Sequence, residues 1–337
     1  MTPTQIRPRP RGPVSAALLS RLQTGVGPIP SVASYIDGDV LADEDLQLAL
    51  HVIHELAYRG YRDVDERMEV DDGVVRLRRD LHDAMERELR RAIGELETDP
   101  VALLQRLASR TGGPSLSGYL ERRADPDVLR EFAIHRSVYQ LKEADPHSWA
   151  LPRLDGRAKS ALVEIQSDEY GRGEPGQAHA ELWAVTMDEL GLDSTYGTYV
   201  DLLPASTLAT DNLISLLGMQ RRLLPALIGH LALFEMTSTG PMARYSAALA
   251  AVGVAERGRR FFDVHVVADA HHEVLAVTDL VGGFLEQHPE SGSEISFGAR
   301  ALDLVEGRFA GHLLESFEAG RSSLRTSGSA DRLLVSV

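Results

Sequence analysis

Apolar residues recur three and four positions apart along almost the whole chain, the period of a helix with one buried face. In DEDLQLALHVIHELAYRGY (43–61) the pattern starts at acidic capping residues and ends near Gly60. In VVRLRRDLHDAMERELRRAIGELE (74–97) it carries opposite charges three and four apart on its polar side. The spacing predicts further helices over 100–110, 115–122, 126–143, 157–170, 176–190, 205–217, 219–237, 240–253, 256–285 and 293–319. Strand alternation is weak throughout, so the expected class is all-α, with helices packed around a common core. No fixed-period repeat is present, and no glycine-rich phosphate loop follows a strand. The GRGEPG run at 171–176 has neither a strand before it nor Lys-Ser/Thr after it, and reads as a turn or helix irregularity.

Composition narrows the partners. With 50 acids against 35 bases, a formal charge of −15, the chain is a poor nucleic-acid binder, since neutralising phosphate needs clustered Lys and Arg. No apolar run approaches the roughly 20 residues of a membrane span, and a small-molecule substrate is the expectation. The absence of cysteine removes disulfides, thiolate ligands and iron–sulfur clusters, leaving His, Asp and Glu for any metal. The Pro/Arg-rich residues 1–30 read as a flexible lead-in without the apolar core of a secretory signal, which predicts a cytoplasmic protein. A composition shift near 98–114 divides N-terminal helices (31–112) from a larger unit (113–320), and a Ser/Gly-rich tail follows at 321–337.

Candidate chemistry concentrates in FFDVHVVADAHHEVL (261–275). On a helix, positions four and seven after a given residue return to within about 40° of it, so His265, Asp269 and His272 share a face. His271 falls roughly 120° away and reads as a surface or supporting residue, and Glu273 is left out of the set. Other acids and histidines in promising settings are Glu143, then Glu164, Asp168, Glu169 and His179, and Glu235 at the end of an apolar run. Taken alone, Glu143 reads as a solvated helix-end residue. Glu235 is evenly balanced between a buried hydrogen bond and a ligand. His51 and His54 read as solvated or interface residues, and His230 lies about 140° around a helix from Glu235, away from any site that Glu235 serves. Taken together, imidazoles and carboxylates without thiolate suit iron or manganese, and four carboxylates balance two divalent ions in a helix core. The Glu-x-x-His repeat of ferritin-like diiron proteins is absent.

The order Glu143, Glu169 followed after ten residues by His179 within DEYGRGEPGQAH, Glu235, and His265-x3-Asp269-x2-His272 resembles the heme-oxygenase-like diiron oxidases and oxygenases, often labelled iron-containing redox enzymes. The resemblance covers about residues 115–320, and the helix pattern at 43–61 also looks like that preceding the domain in such proteins. It implies a heme-oxygenase-like bundle of about seven core helices with an N-terminal helical extension, holding non-heme iron. By position it implies His179, His265 and His272 with Glu143, Glu169, Glu235 and Asp269 as ligands of two Fe2+ ions, Glu169 bridging. The helix of 265–272 would be the element that moves when metal is absent. O2 would be the cosubstrate, reduced to a peroxo-diferric species that oxidises an amino acid or amine by N-oxygenation or oxidative cleavage. An external reductant and a homodimer are further expectations. The alternative is a metal-free enzyme or ligand-binding module of the same fold, of the thiaminase or pyrroloquinoline-quinone-synthase kind; a third reading is iron storage or a structural helical protein.

Overall fold

A computed structural model describes residues 5–32, 38–110 and 115–326. Among these no strand occurs, and the all-α expectation holds. The helices are α1 (Pro13–Thr24), α2 (Glu44–Tyr58), α3 (Asp72–Ile93), α4 (Pro100–Ala108), α5 (Leu116–Arg123), α6 (Pro126–Gln140), α7 (Asp145–Ser148), α8 (Gly156–Glu169), α9 (His179–Glu189), α10 (Ala205–Met219), α11 (Leu224–Ala251), α12 (Glu256–Leu275), α13 (Gly282–Gln287) and α14 (Gly292–Glu318). Aspartates set several starts. The carboxylates of Asp43, Asp71, Asp99 and Asp125 accept backbone N–H groups in the first turns of α2, α3, α4 and α6.

The centre of the fold is α11, which packs against α12, α14, α5, α4 and α10. The two helices expected at 219–237 and 240–253 are this single rod, running through Pro241. It crosses α14 backbone to backbone. A Cβ on Gly229 would lie 1.9 Å from the Ile295 carbonyl oxygen, and one on Gly298 would lie 1.7 Å from that of Ala226. Only glycine permits this approach. The long helix expected at 256–285 is α12 continued through a wide turn at Ala276–Val281 into α13. No helix among the described residues is long and apolar enough to cross a membrane.

Two sequence expectations are corrected near the N-terminus. The lead-in is not a loose segment: residues 13–24 form α1, whose first N–H groups, from Val14 and Ser15, donate to Asp45 of α2 at 2.8 Å. Its arginines have specific partners, Arg11 with Glu44 at 2.7 Å and Arg21 with Asp71 at 2.7 Å. A Pro/Arg composition signals a linker only where the charges stay in water. Second, His51 and His54 are buried, because α2 is enclosed from Leu46 to Glu55. His51 Nδ1 lies 3.0 Å from Asp211 of α10, and His54 bridges Asn212 (3.1 Å) and His82 of α3 (2.8 Å). One apolar cluster runs from Val14 through α2, α3 and α10 to Val305, so the N-terminal helices share the core of the rest.

Beside His51 sits Lys142, fully buried, 2.5 Å from Glu55 and 2.9 Å from Asp211. Tyr196 donates to the same glutamate at 2.8 Å. This hub ties α2 and α10 to the turn after α6. Removing one partner of such a buried pair costs about 3–5 kcal/mol.

The His54–His82 contact makes stability depend on pH. Burial holds His54 well below its ordinary 6.5, and burial with Arg78 nearby brings His82 to about 3. Between these values the unfolded chain binds protons that the folded chain refuses, so stability is full above the unfolded value and falls as pH drops through the window. A His82→Gln variant is expected to lose on the order of 2 kcal/mol less than the unaltered chain between pH 7 and pH 5. Urea unfolding at the two pH values measures this, and equal losses would contradict it.

Candidate metal centre

The chain reaches this centre from five directions. The helix expected to run to Glu143 ends at Gln140, and Glu143 occupies the turn that follows. Ala144 adopts φ 74°, ψ −31°, a conformation costly for a residue with a side chain. That backbone bend, with Lys142 anchored on one side and the Ala144 carbonyl accepting from Gln166 (2.9 Å) on the other, turns Glu143 inward. Glu169 closes α8 and His179 opens α9. Between them the GRGEPG run makes a tight turn in which Gly171 has φ +64°, and a Cβ there would sit 2.4 Å from the Gln177 carbonyl carbon. The turn brings His179 Nδ1 to 2.9 Å from Glu169. Glu235 projects from mid-α11, and His265, Asp269 and His272 from one face of α12.

All seven residues are buried. Glu143, Glu169, His179 and His265 each offer a ligand atom within 4.8 Å of one another, and so do Glu169, Glu235 and His272. Glu169 belongs to both groups. Asp269 lies beside the second group without joining it, 3.8 Å from His272 Nδ1, and accepts from Ser238 at 2.5 Å. The histidines are oriented from behind. His265 Nδ1 donates to the Phe261 carbonyl at 2.6 Å, which turns Nε2 toward Glu143 at 3.7 Å. His272 Nε2 lies 3.1 Å from Asp168, itself held by Arg172 at 2.6 Å.

Among these seven residues two buried side-chain atoms have no hydrogen-bond partner, Glu143 Oε2 and His272 Nδ1. The latter lies 3.3 Å from Glu235 but out of line for a hydrogen bond. The charges strain one another. Burial, then Glu169, Asp269 and Glu235, push Glu143 well above its ordinary range, and burial with Glu235 raises Asp269 to about 8. Burial would also raise Glu169, but His179, His265 and His272 bring it down to about 2. Burial works against a charged His272, yet Glu235 and Asp168 lift it to about 9; His265, beside His179, is lowered by burial to about 4. Imidazole nitrogens, facing carboxylates and a glutamate common to both groups are a donor set that fits metal cations.

The remaining candidates separate cleanly. His271 is on the outer surface of α12, 2.9 Å from an exposed Glu164, and Glu273 is exposed. His230 pairs with His147 at 3.4 Å and stays outside both groups. Asp168 was among the acids noticed in the sequence, but nothing in the spacing ties it to a histidine 104 residues away. Tyr139, which lines the same small cavity, gave no signal beyond an apolar helix position.

A helical bundle with buried imidazoles and carboxylates on facing elements carries a donor set that could hold a metal ion. The profile of the family described as "Iron-containing redox enzyme" matches residues 130–307, more than half of the chain, and the chain belongs to that family. The whole candidate centre lies within the match. The chain is also similar to nitrosourea synthase of Streptomyces achromogenes subsp. streptozoticus, at 26% identity over 148 residues, 44% of this chain. The similarity spans 31% of that protein's length.

Asp168→Ala is expected to weaken metal binding roughly 10–100-fold, the usual effect of losing the group that orients a ligand histidine. Cobalt(II) titration of the metal-free chain measures it. In the same titration His265→Ala abolishes one site and His271→Ala changes nothing; equal losses in these two variants would refute the assignment of faces on α12.

Proposed function

We propose that this chain is a non-heme diiron enzyme that uses O2 to oxidise a small molecule, with an external electron donor restoring the ferrous state. The observation that supports this reading most is that Glu169 belongs to both groups of buried ligand atoms, so its carboxylate would be within reach of two ions. Glu143, His179 and His265 would hold one ion with it, and Glu235, Asp269 and His272 the other. When bound, ferrous iron would supply the electrons that reduce O2.

The protein's own part is preparation. Phe261 and Asp168 fix which imidazole nitrogen faces the centre, so the histidines need no reorientation when the ions arrive. Ser238 steadies Asp269, and Phe234, Leu231 and Tyr139 wall the small cavity from water. Dry walls strengthen every charge interaction inside. For the substrate, the similarity to a nitrosourea synthase favours oxidation at nitrogen, on an amino acid or amine. The metal-free reading fits less well. A centre without cations leaves Glu143 Oε2 and His272 Nδ1 buried and unpartnered, an expensive arrangement for no return.

Anaerobic titration with ferrous iron is expected to reach two ions per chain, and mixing with O2 to produce a transient visible absorption in stopped flow. Sub-stoichiometric binding, or no transient, would sink the diiron reading. Glu169→Ala is expected to lose both ions together rather than one.

A further inference from the structure

A second, larger cavity of about 300 Å³ adjoins the metal centre. Phe234 and Ser238 line both spaces, and Ser238 is the residue bonded to Asp269. Its body is apolar and largely aromatic, with Phe132, Trp183, Met242, Tyr245 and Phe262 in its walls. Two of its wall residues carry a buried polar atom without a partner. Trp183 is 1% exposed and its indole N–H has no acceptor; Gln140 is 5% exposed and its amide oxygen has no donor. Buried polar atoms in folded proteins are nearly always paired, so an orphan donor and an orphan acceptor in one cavity point to a ligand that supplies both.

The charges of the wall constrain that ligand further. Among the described residues the cavity's formally charged side chains are Arg110, Arg136, Asp303 and Glu306. They cancel in pairs. Arg136 meets Glu306 through two hydrogen bonds of 2.8 and 3.0 Å, with its guanidinium over the Phe309 ring, and Arg110 pairs with Asp303. A ligand of net charge would shed its water and find no free counter-charge, whereas a net-neutral one would not pay that desolvation.

We propose that this chamber is the substrate site and that it selects a net-neutral small molecule, with an aromatic or aliphatic body and a head group that accepts from Trp183 and donates to Gln140, as a carboxamide does. What happens to the ligand after binding rests on the diiron reading; the binding itself does not. The chamber also narrows the substrate class. A simple amine enters as the uncharged base or not at all, and an amino acid enters as the zwitterion.

Trp149→Phe leaves Trp183 as the only tryptophan, so its emission reports on the chamber. The probes share one body: 3-phenylpropanamide is uncharged, 3-phenylpropanoate an anion, 3-phenylpropylamine a cation, and L-phenylalanine a zwitterion. The amide is expected to change Trp183 emission saturably and to bind at least about tenfold more tightly than the anion or the cation. Gln140→Leu is expected to weaken the amide by about five- to tenfold, the effect of one hydrogen bond. Calorimetry on Trp183→Phe should give a similar loss. L-Phenylalanine is expected to bind within about tenfold of the amide, and failure of the zwitterion to bind overturns the rule of net neutrality. An anion or cation that binds as tightly as the amide, or no response to any of the four, overturns the proposal. Iron uptake is measured on the same samples. A chain that takes two irons yet prefers a charged probe overturns the chamber assignment alone, and one that takes no iron yet selects the amide overturns the diiron reading alone.

Discussion

Four carboxylates facing one another in a water-poor helix interior are the constraint around which this molecule is arranged. Left to themselves they repel, and burial multiplies the cost. The protein answers with three imidazoles, two of them backed by a carbonyl or a second carboxylate, and with donor atoms left open toward the middle. A site built this way stores its tension until cations relieve it. The same tension explains why its ligands come from several elements. Glu235 and the α12 residues sit within helices, while Glu143, Glu169 and His179 lie at helix ends, where a turn can aim one side chain independently.

Much of this was legible in the sequence because one simple period, that of the helix, governs it. Helical spacing located nearly every helix, and on α12 it separated His265, Asp269 and His272 from His271, a division the structure repeats as burial against exposure. Helix ends were less legible. The helix carrying Glu143 stops at Gln140 because a bend at Ala144 redirects the chain, and no pattern of apolar residues announces a positive φ on alanine. The break expected between 237 and 240 is absent, because α11 runs through it with Pro241 in its interior. The partners of the ligands were invisible for a different reason. Asp168 and His272 meet only because α8 and α12 are neighbours, and pairing across the fold leaves no trace in local spacing.

Polar residues of α2 were misjudged on the same grounds. A helix rich in histidine and acid looks like a solvated surface until one knows that α10 and α3 cover it. Its buried charges are not decoration. They meet Lys142, the residue immediately before Glu143, so the backbone that presents a proposed ligand is gripped from the side opposite the metals.

That grip bears on how the architecture can be divided. The family profile begins at residue 130, and Glu55 and His51 lie well upstream of it. Lys142, inside the matched region, shares its ammonium between Asp211, also inside it, and Glu55, outside it. The boundary of the shared family region is therefore not a boundary of cooperativity. A chain that kept the metal residues but exchanged the upstream helices would leave Lys142 and Tyr196 without their shared glutamate, and would have to refill that buried space. The N-terminal helices are coupled physically to the matched region rather than carried by it as a detachable module.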